Sequence, residues 1–122
     1  MRAESTKLKG ARGEETAAEY LRRKGYTVVG LNYRVRGGEI DIIAQNRKYL
    51  VFVEVKTRKS ARFAQGREYV TPAKMQRLIL AAQLYLASNP TRLQPRFDVI
   101  EVYAPEDGAL TVEHIENAFS EG

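Results

Sequence analysis

Three short apolar runs, separated by only a few residues, constrain the fold most strongly. The runs "YTVVGLNYRV", "EIDIIAQ" and "YLVFVEVK" are rich in β-branched and aromatic residues, and the turns "RGG" and "NRK" separate them. β-Branched and aromatic runs bounded by such turns are typical of strands joined as hairpins. The centre of the chain is therefore predicted to be a three-stranded meander.

Helical patterns flank this meander on both sides. The segment "ARGEETAAEYLRRK", from about Ala11 to Lys24, is rich in helix formers and is followed by Gly25 as a C-cap. A second helix, "TPAKMQRLILAAQLYLASN", begins with Thr71 as N-cap and Pro72 at the first helical position. It places apolar residues at helical spacing on one face, and these are Met75, Leu78, Ile79, Ala82 and Leu86.

The remaining elements complete an α/β pattern. The run "RFDVIEVY" predicts a fourth strand, "LTVEHIENA" is a candidate fifth, and "TRKSARFAQGREYV" before the second helix is predicted to be a mobile loop. The order αβββαβ(β) predicts an α/β domain with a mixed central β-sheet flanked by helices. We expect residues 1–8 to be flexible and residues 9–122 to form a single domain.

Composition excludes several classes of protein. The 122 residues include no cysteine, so disulfides and thiolate zinc sites are excluded. No run approaches the roughly 18 apolar residues that span a bilayer, and the charged opening "MRAESTKLKG" has no apolar signal region. We expect a cytoplasmic protein that does not enter a membrane.

Charge is distributed unevenly along the chain. Up to Arg96 there are 20 Lys or Arg and 8 Asp or Glu, whereas the residues from Phe97 onward include 7 acidic residues and no basic one. A segment this basic suits binding to a phosphate backbone, because each cation placed near a phosphate releases condensed counterions. A solvated surface with an acidic tail is an equally good interpretation of composition alone.

Charged residues interrupt the most apolar strands. Because side chains alternate along a strand, Glu39, Asp41 and Ile43 are predicted to share one face. By the same rule Glu54 and Lys56 share one face of the next strand. If these two strands pair, two carboxylates and an amine converge on an apolar sheet.

The first helix offers a third carboxylate. Glu14 shares the helical stripe of Ala17, Ala18 and Leu21, which is the stripe expected to face the sheet. Its neighbour Glu15 is predicted to lie on the opposite, solvent-exposed face of the helix. Glu14 is therefore the better candidate.

Clustered carboxylates repel one another unless a proton or cation lies between them. Mg²⁺ binds one or two carboxylates, keeps several waters and accepts phosphate oxygens, and a neighbouring lysine can help the attacking water or neutralise charge on the phosphate. These parts suit phosphodiester hydrolysis. The competing interpretation is a cross-strand ion pair on a solvated sheet face, and the residues alone leave both open.

Five segments in this order resemble the YraN-like family, small bacterial proteins regarded as predicted endonucleases. They are "KGARGEETAAEYL", "NYRVRGGEIDIIA", "VFVEVKTR", "TPAKMQRL" and "RFDVIEV", from about Lys9 to Tyr103. That family is thought to be distantly related to archaeal Holliday junction resolvases. The resemblance implies a restriction-endonuclease-like fold and activity on branched or otherwise structured DNA, for which a homodimer would supply two nicking sites.

The resemblance also implies roles for individual residues. It makes Asp41 and Glu54 ligands of Mg²⁺ or Mn²⁺, Lys56 the catalytic lysine and Glu14 the helix-one glutamate of the site. Glu39 is typical of the family but not of the resolvases, and it is a candidate for either an extra metal ligand or a purely structural residue. Two positions depart from the resolvase pattern: Ile40 replaces the commonest proline, and Lys74 replaces a glutamine on the second helix.

Three function classes follow. The first is a metal-dependent DNA endonuclease, the second a non-catalytic nucleic-acid-binding module of the same fold, and the third a protein-interaction domain whose charge keeps it soluble. The first two require basic residues that contact nucleic acid, and the candidates are Arg34, Arg36, Arg58, Lys59, Arg62, Arg67 and Lys74. The lone histidine, His114, lies far along the chain from the carboxylates, and we expect no catalytic role for it.

Overall fold

A single five-stranded sheet with a helix on each face forms the fold in the computed structural model, which describes residues 6–58, 71–105 and 108–119. The strands lie in sequential order and carry the two helices before β1 and between β3 and β4. The elements are α1 (Thr6–Arg23), β1 (Thr27–Val35), β2 (Gly38–Gln45), β3 (Tyr49–Arg58), α2 (Pro72–Ser88), β4 (Gln94–Tyr103) and β5 (Thr111–Phe119).

The predicted α/β class and mixed sheet are confirmed. β1, β2 and β3 form the antiparallel meander, β3 and β4 pair in parallel, and β5 returns antiparallel to β4. A parallel pair needs a crossover, and the connection that contains α2 supplies it. The predicted fifth strand is confirmed as β5, which forms one edge of the sheet.

Several boundaries differ from the prediction, and β4 begins at Gln94, two residues before the predicted strand. α1 begins at Thr6 rather than near Ala11, so part of the segment expected to be flexible is helical; residues 1–5 lie outside the described residues. β3 continues through Thr57 and Arg58, the first two residues of the predicted mobile loop. The rest of that loop, residues 59–70, also lies outside the described residues.

The second helix begins and ends as predicted. Thr71 Oγ1 accepts a hydrogen bond from the Lys74 backbone N–H at 3.2 Å, Pro72 is the first helical residue, and Asn89 is the C-cap. Side-chain capping satisfies an N–H group that the helix itself leaves unpaired. The cap thus fixes the end of α2 that carries Lys74.

The core consists of two apolar layers, one on each face of the sheet. α1 covers the layer whose buried members include Ala17, Leu21, Ile42, Val53 and Ile100. α2 covers the other layer, through residues that include Ile40, Ile43, Phe52, Leu78 and Ala82. The predicted apolar face of α2 is confirmed for its central residues, and Ala81 belongs to it as well.

Two glycines let the helices approach the sheet closely. A Cβ atom at Gly13 of α1 would lie 2.1 Å from Thr57 Oγ1, and one at Gly38 of β2 would lie 2.4 Å from the Arg77 carbonyl oxygen of α2. At such distances the contacted atoms must move before any side chain larger than hydrogen can fit. Gly13 directly precedes Glu14, which its contact brings toward the sheet, and Gly38 directly precedes Glu39, which its contact brings toward α2.

Candidate functional site

The charged strand residues lie where β2 and β3 stop pairing. The ladder between these strands ends at the pair Ile42 and Val53, and Asp41 and Glu54 come directly after it. A cleft of about 170 Å³ opens there, which we call the acidic cleft. It is lined by Glu14, Glu39, Asp41, Glu54, Val55, Lys74 and Arg77.

A break in strand alternation accompanies this opening. Ile42 packs in the α1 layer, but Ile40, two residues away, packs in the α2 layer. The β1 residue between their cross-strand partners is Asn32, whose φ of 52° lies in the left-handed region. The strict alternation predicted for this part of β2 is therefore wrong, because a kink at Asp41 and Asn32 interrupts it, although Glu39 and Asp41 still line one cleft.

Asp41 is held in a position that disfavours its negative charge. Its Oδ2 accepts a hydrogen bond from the Val55 backbone N–H at 2.8 Å, which ties it across to β3. Burial first, and then the charge of Glu54, raise the pKa of Asp41 to about 7, against the opposing effect of the Val55 bond. A cation in the cleft would remove this cost.

Glu54 is the most buried carboxylate of the acidic cleft, with a side chain only 10% exposed. Two ammonium groups approach its Oε2 atom: Lys74 Nζ at 3.4 Å and Lys56 Nζ at 3.7 Å. Asp41 and Glu54 thus adjoin in the cleft, and Lys56 contacts Glu54 from just outside the residues that line it, whereas Lys74 reaches Glu54 from α2.

The two lysines differ in how readily they hold their protons. Burial, together with the hydrogen bond and charge of Lys74, lowers the pKa of Lys56. The hydrogen bond to Lys56 raises the pKa of Lys74, whose side chain is 51% exposed against 24% for Lys56. Water stabilises the ammonium that it reaches more easily, so Lys74 carries the charge more firmly.

Glu14 enters the cleft from α1, as its helical stripe predicted. Ala17, Ala18 and Leu21 of that stripe are buried, whereas Glu15 is exposed. Burial raises the pKa of Glu14, and the charges of Glu39 and Glu54 add to this effect, although Asn32 and Arg34 oppose it. The site therefore brings together carboxylates from one helix and two strands.

Glu39 has a different environment at the rim. Its Oε1 lies 3.4 Å from Arg77 Nη2, and the two side chains are 41% and 55% exposed. Sequence reasoning missed Arg77, although its position three residues after Lys74 places it on the same side of α2. Asn32 was also missed, and no local pattern in β1 indicated it.

The predicted nucleic-acid-binding residues are placed in two ways. Arg34 and Arg36 are exposed at the end of β1 and in the turn that leads to Glu39, and Lys74 lies in the cleft. Arg58 Nε donates to Glu101 Oε2 at 3.0 Å beside the cleft. Lys59, Arg62 and Arg67 lie outside the described residues.

The donors present suit a divalent ion only in part. Among residues 6–58, 71–105 and 108–119, no three Asp, Glu, His or Cys side chains converge closely enough to form a ready metal-binding group. Two carboxylates, Asp41 and Glu54, do adjoin, and burial together with the charge of Glu54 raises the pKa of Asp41 to about 7. This set fits Mg²⁺ or Mn²⁺ bound by one or two carboxylates and completed by water.

His114 belongs to a separate buried cluster. Its Nε2 lies 2.6 Å from Asp98 Oδ2, its Nδ1 lies 3.2 Å from the Tyr20 hydroxyl, and its side chain is 3% exposed. Arg96 also bonds to Asp98, through Nη2 at 2.8 Å. These contacts link β4 and β5 to α1.

The fold and cleft define a class: an α/β protein with a mixed five-stranded sheet and a carboxylate–lysine cleft where two central strands separate. A family model described as "Uncharacterised protein family UPF0102" matches residues 13–102. The chain belongs to this family, which is the YraN-like family that its sequence motifs resemble.

Relatives from distant bacteria match almost the whole chain. A UPF0102 protein of Symbiobacterium thermophilum is 50% identical over 111 residues, which cover 90% of this chain and 94% of the relative. One from Caldanaerobacter subterraneus is 47% identical over 122 residues, or 98% and 100% of the two chains. One from Flavobacterium psychrophilum is 44% identical over 110 residues, or 90% and 92%.

Within the described part of the chain, no helix combines the length and the apolar character needed to cross a bilayer.

Proposed function

We propose that this protein is a Mg²⁺- or Mn²⁺-dependent DNA endonuclease of restriction-endonuclease-like fold that hydrolyses phosphodiester bonds in the acidic cleft. The observation that carries the proposal is the approach of Asp41, Glu54 and Lys56 at the point where β2 and β3 separate. A solvated ion pair would leave these groups in water. Here Glu54 is nearly buried, and the pKa of Asp41 is raised to about 7.

Asp41 and Glu54 would hold the divalent ion, with Glu14 completing the site directly or through water and Glu39 as an additional candidate ligand at the rim. The ion, when bound, supplies Lewis-acid polarisation of the phosphate and a more acidic water. The charge of Asp41 is then favoured, since the cation offsets both its burial and its repulsion from Glu54.

The two lysines act on the attacking water and on the phosphate. Lys56, the more buried of the two, orients and helps to activate the water that attacks phosphorus. Lys74 retains its proton and neutralises charge on the phosphate. Hydrolysis adds water across one P–O bond, so no covalent intermediate with the protein is required.

The surroundings of the cleft suit a polyanion. Arg77 lines the cleft, Arg34 and Arg36 lie in the segment that leads to Glu39, and all three are exposed. Cations at such positions contact phosphates next to the one being cut and make affinity depend steeply on salt. We propose branched or otherwise structured DNA as the substrate, a cytoplasmic location, and a homodimer as the form that would cut two strands.

A cleavage assay tests this function. Purified protein is incubated with supercoiled plasmid, linear duplex and a four-way junction in Mg²⁺, Mn²⁺ or EDTA. Glu54→Gln and Lys56→Met test the site, and Glu15→Gln, an exposed carboxylate next to Glu14, is the matched control against contaminating nucleases. Metal-dependent cutting that both site variants lose and the control retains is the expected result. Cutting that persists unchanged in Glu54→Gln would refute the assignment.

A non-catalytic DNA-binding module is the second candidate, supported by the ion pair between Lys74 and Glu54, which satisfies both groups without a metal. It predicts salt-sensitive DNA binding by the wild type and no cutting in any metal. The same assay, run beside a binding titration, separates the two functions.

A further inference from the structure

A second cluster of charge lies at the opposite end of the sheet from the acidic cleft. Six exposed basic residues come from three separate connections there, and we call this surface the basic end. Its members are Arg22, Arg23, Lys24, Arg47, Lys48 and Arg92. They occur at the end of α1, in the turn between β2 and β3, and in the connection from α2 to β4.

Backbone contacts bring these three connections together. The Gln94 N–H, two residues after Arg92, donates to the Lys48 carbonyl oxygen at 2.9 Å. Gly25, the residue after Lys24, lines an open cleft of about 380 Å³ with Asn46 and Arg47. The cations are therefore neighbours on one surface, although up to 70 residues separate them in the chain.

Acidic groups offset little of this charge. Among the described residues near the basic end, Glu19 pairs with Arg22 and Arg23 at 3.9 and 3.4 Å, and Glu116 lies 3.8 Å from Arg96. Local explanations account for part of the cluster, since basic residues stabilise a helix C-terminus and Lys48 lies over the Tyr49 ring at 5.2 Å. They do not account for the addition of Arg47 and Arg92 to the same surface.

The separation of the two charged surfaces matters for the ligand. β3 runs from the basic end at Tyr49 to the acidic cleft at Glu54, and five residues of strand span about 17 Å. That distance corresponds to roughly ten phosphate charges of duplex DNA along its axis. One segment of nucleic acid that only fills the cleft would leave the basic end uncovered.

We propose that the basic end is a second binding surface for a nucleic-acid phosphate backbone, which holds DNA beyond the segment in the acidic cleft. The inference rests on the proposed DNA substrate and extends it. The side chains of the basic end are suited to contacts with phosphates, which carry no sequence information. The basic end therefore adds affinity without reading the base sequence. A long duplex or a second arm of a branched substrate would reach both surfaces.

Binding measurements in EDTA test this surface without any requirement for cleavage. A labelled 24-base-pair duplex and a four-way junction are titrated by fluorescence anisotropy at several salt concentrations. The triple variant Arg47→Gln, Lys48→Gln, Arg92→Gln removes three charges, and the charge-preserving triple Arg47→Lys, Lys48→Arg, Arg92→Lys is the matched control. The neutral variant is expected to bind about tenfold or more weakly, with a salt slope shallower by about 2 to 3, while the control binds like the wild type.

A second measurement locates the contact directly. In heteronuclear NMR titrations of the wild type in EDTA, DNA is expected to shift the amide signals of residues 24–25 and 46–48 as well as those around the acidic cleft. Unchanged affinity and salt slope in the neutral triple, or shifts confined to the cleft, would overturn the second surface. Failure of the wild type to cut DNA would refute the proposed hydrolysis alone, because both of these experiments exclude the metal.

Discussion

Lys74 is suited to different contacts in the metal-free and the proposed metal-bound state of the acidic cleft. Its ammonium lies 3.4 Å from Glu54 Oε2, so it would compete with a divalent ion for that carboxylate. It is also half exposed and can turn toward solvent or a phosphate. We therefore interpret Lys74 as a cation that yields Glu54 to the metal and then contacts DNA.

This interpretation predicts opposite effects of one substitution. Lys74→Gln should tighten Mn²⁺ binding several-fold, because it removes a competing positive charge, and should weaken DNA binding by roughly tenfold through the loss of a phosphate contact. Calorimetry for the metal and anisotropy in EDTA for DNA measure the two effects separately. Loss of affinity for both ligands would contradict the exchange.

Asp41 illustrates a residue whose position opposes stability. Its charge is buried beside Glu54 and gains one backbone hydrogen bond, which does not offset those costs. Such strained electrostatics are frequent at functional sites, where selection retains a group despite its cost to folding.

Asp41→Asn should therefore stabilise the metal-free protein. The amide oxygen can still accept from the Val55 N–H, whereas the buried negative charge is gone, and we expect a gain on the order of 1 kcal/mol in the free energy of unfolding at pH 8. Urea denaturation in EDTA measures it. A variant less stable than the wild type under these conditions would show that the ionised carboxylate contributes to the fold.

At the scale of elements, close packing of the helices sets the geometry of the cleft. Gly38 meets backbone of α2, the Arg77 carbonyl oxygen, whereas Gly13 meets a side-chain atom of Thr57. A side chain can change its rotamer, but a helix backbone moves only with its whole element. The two glycines should therefore differ in how they tolerate a methyl group.

Gly38→Ala should destabilise the protein by about 1 to 3 kcal/mol, because β2 and α2 must move apart. Gly13→Ala should cost less, since Thr57 can rotate and alanine favours the helix. Denaturant midpoints of both variants give the comparison. Equal costs, or a larger cost at Gly13, would contradict this account of helix packing.

The buried cluster between β4 and β5 supplies an acid-sensitive link. Burial opposes ionisation of Asp98, but bonds from His114, Arg96 and the Asn117 N–H outweigh it and hold the pKa of Asp98 below its ordinary value. A carboxyl whose pKa is lower in the folded state favours folding above its unfolded pKa, and this contribution is lost as pH falls through the folded value.

Asp98→Asn should therefore cost stability mainly at neutral pH. It removes the buried carboxylate partner of Arg96 and leaves only the more exposed Glu116, 3.8 Å away, so a loss of about 3 kcal/mol is expected at pH 7. The difference between variant and wild type should shrink below about pH 4, where Asp98 of the unfolded chain begins to take up a proton, and this contribution is lost once the pH falls through the lower pKa of folded Asp98. Unfolding measured from pH 7 to pH 2.5 tests the trend, and a difference that stays constant with pH would contradict it.

At the scale of the whole molecule, the sequence predicted the helices and strands better than the contacts between them. The strand runs, the Thr71 cap and the Glu14 stripe were recognisable because each depends on local periodicity. The kink at Asn32 and Asp41 was not, because it arises from two strands that meet only in the fold. The start of α1 at Thr6 was missed since its first turns contain few apolar residues.

The same limit applies to the charged surfaces. Alternation brought Asp41 and Glu54 together in the prediction, but Arg77 and the basic end depend on how separate connections lie in space. In the fold, the uneven charge along the chain forms an acidic cleft with basic residues at its rim, and the separate basic end. A further set of acidic residues lies on β4 and β5. This arrangement supports the proposed cleavage of a polyanionic substrate.

Binding of Mn²⁺ tests the central claim most directly, because the whole account depends on a divalent ion at Asp41 and Glu54. Electron paramagnetic resonance can count the bound ion in the wild type, in Glu54→Gln and in the control Glu15→Gln. The account predicts saturable binding that Glu54→Gln weakens at least tenfold and Glu15→Gln leaves unchanged. Equal binding by all three proteins, or none by the wild type even with DNA present, would contradict it.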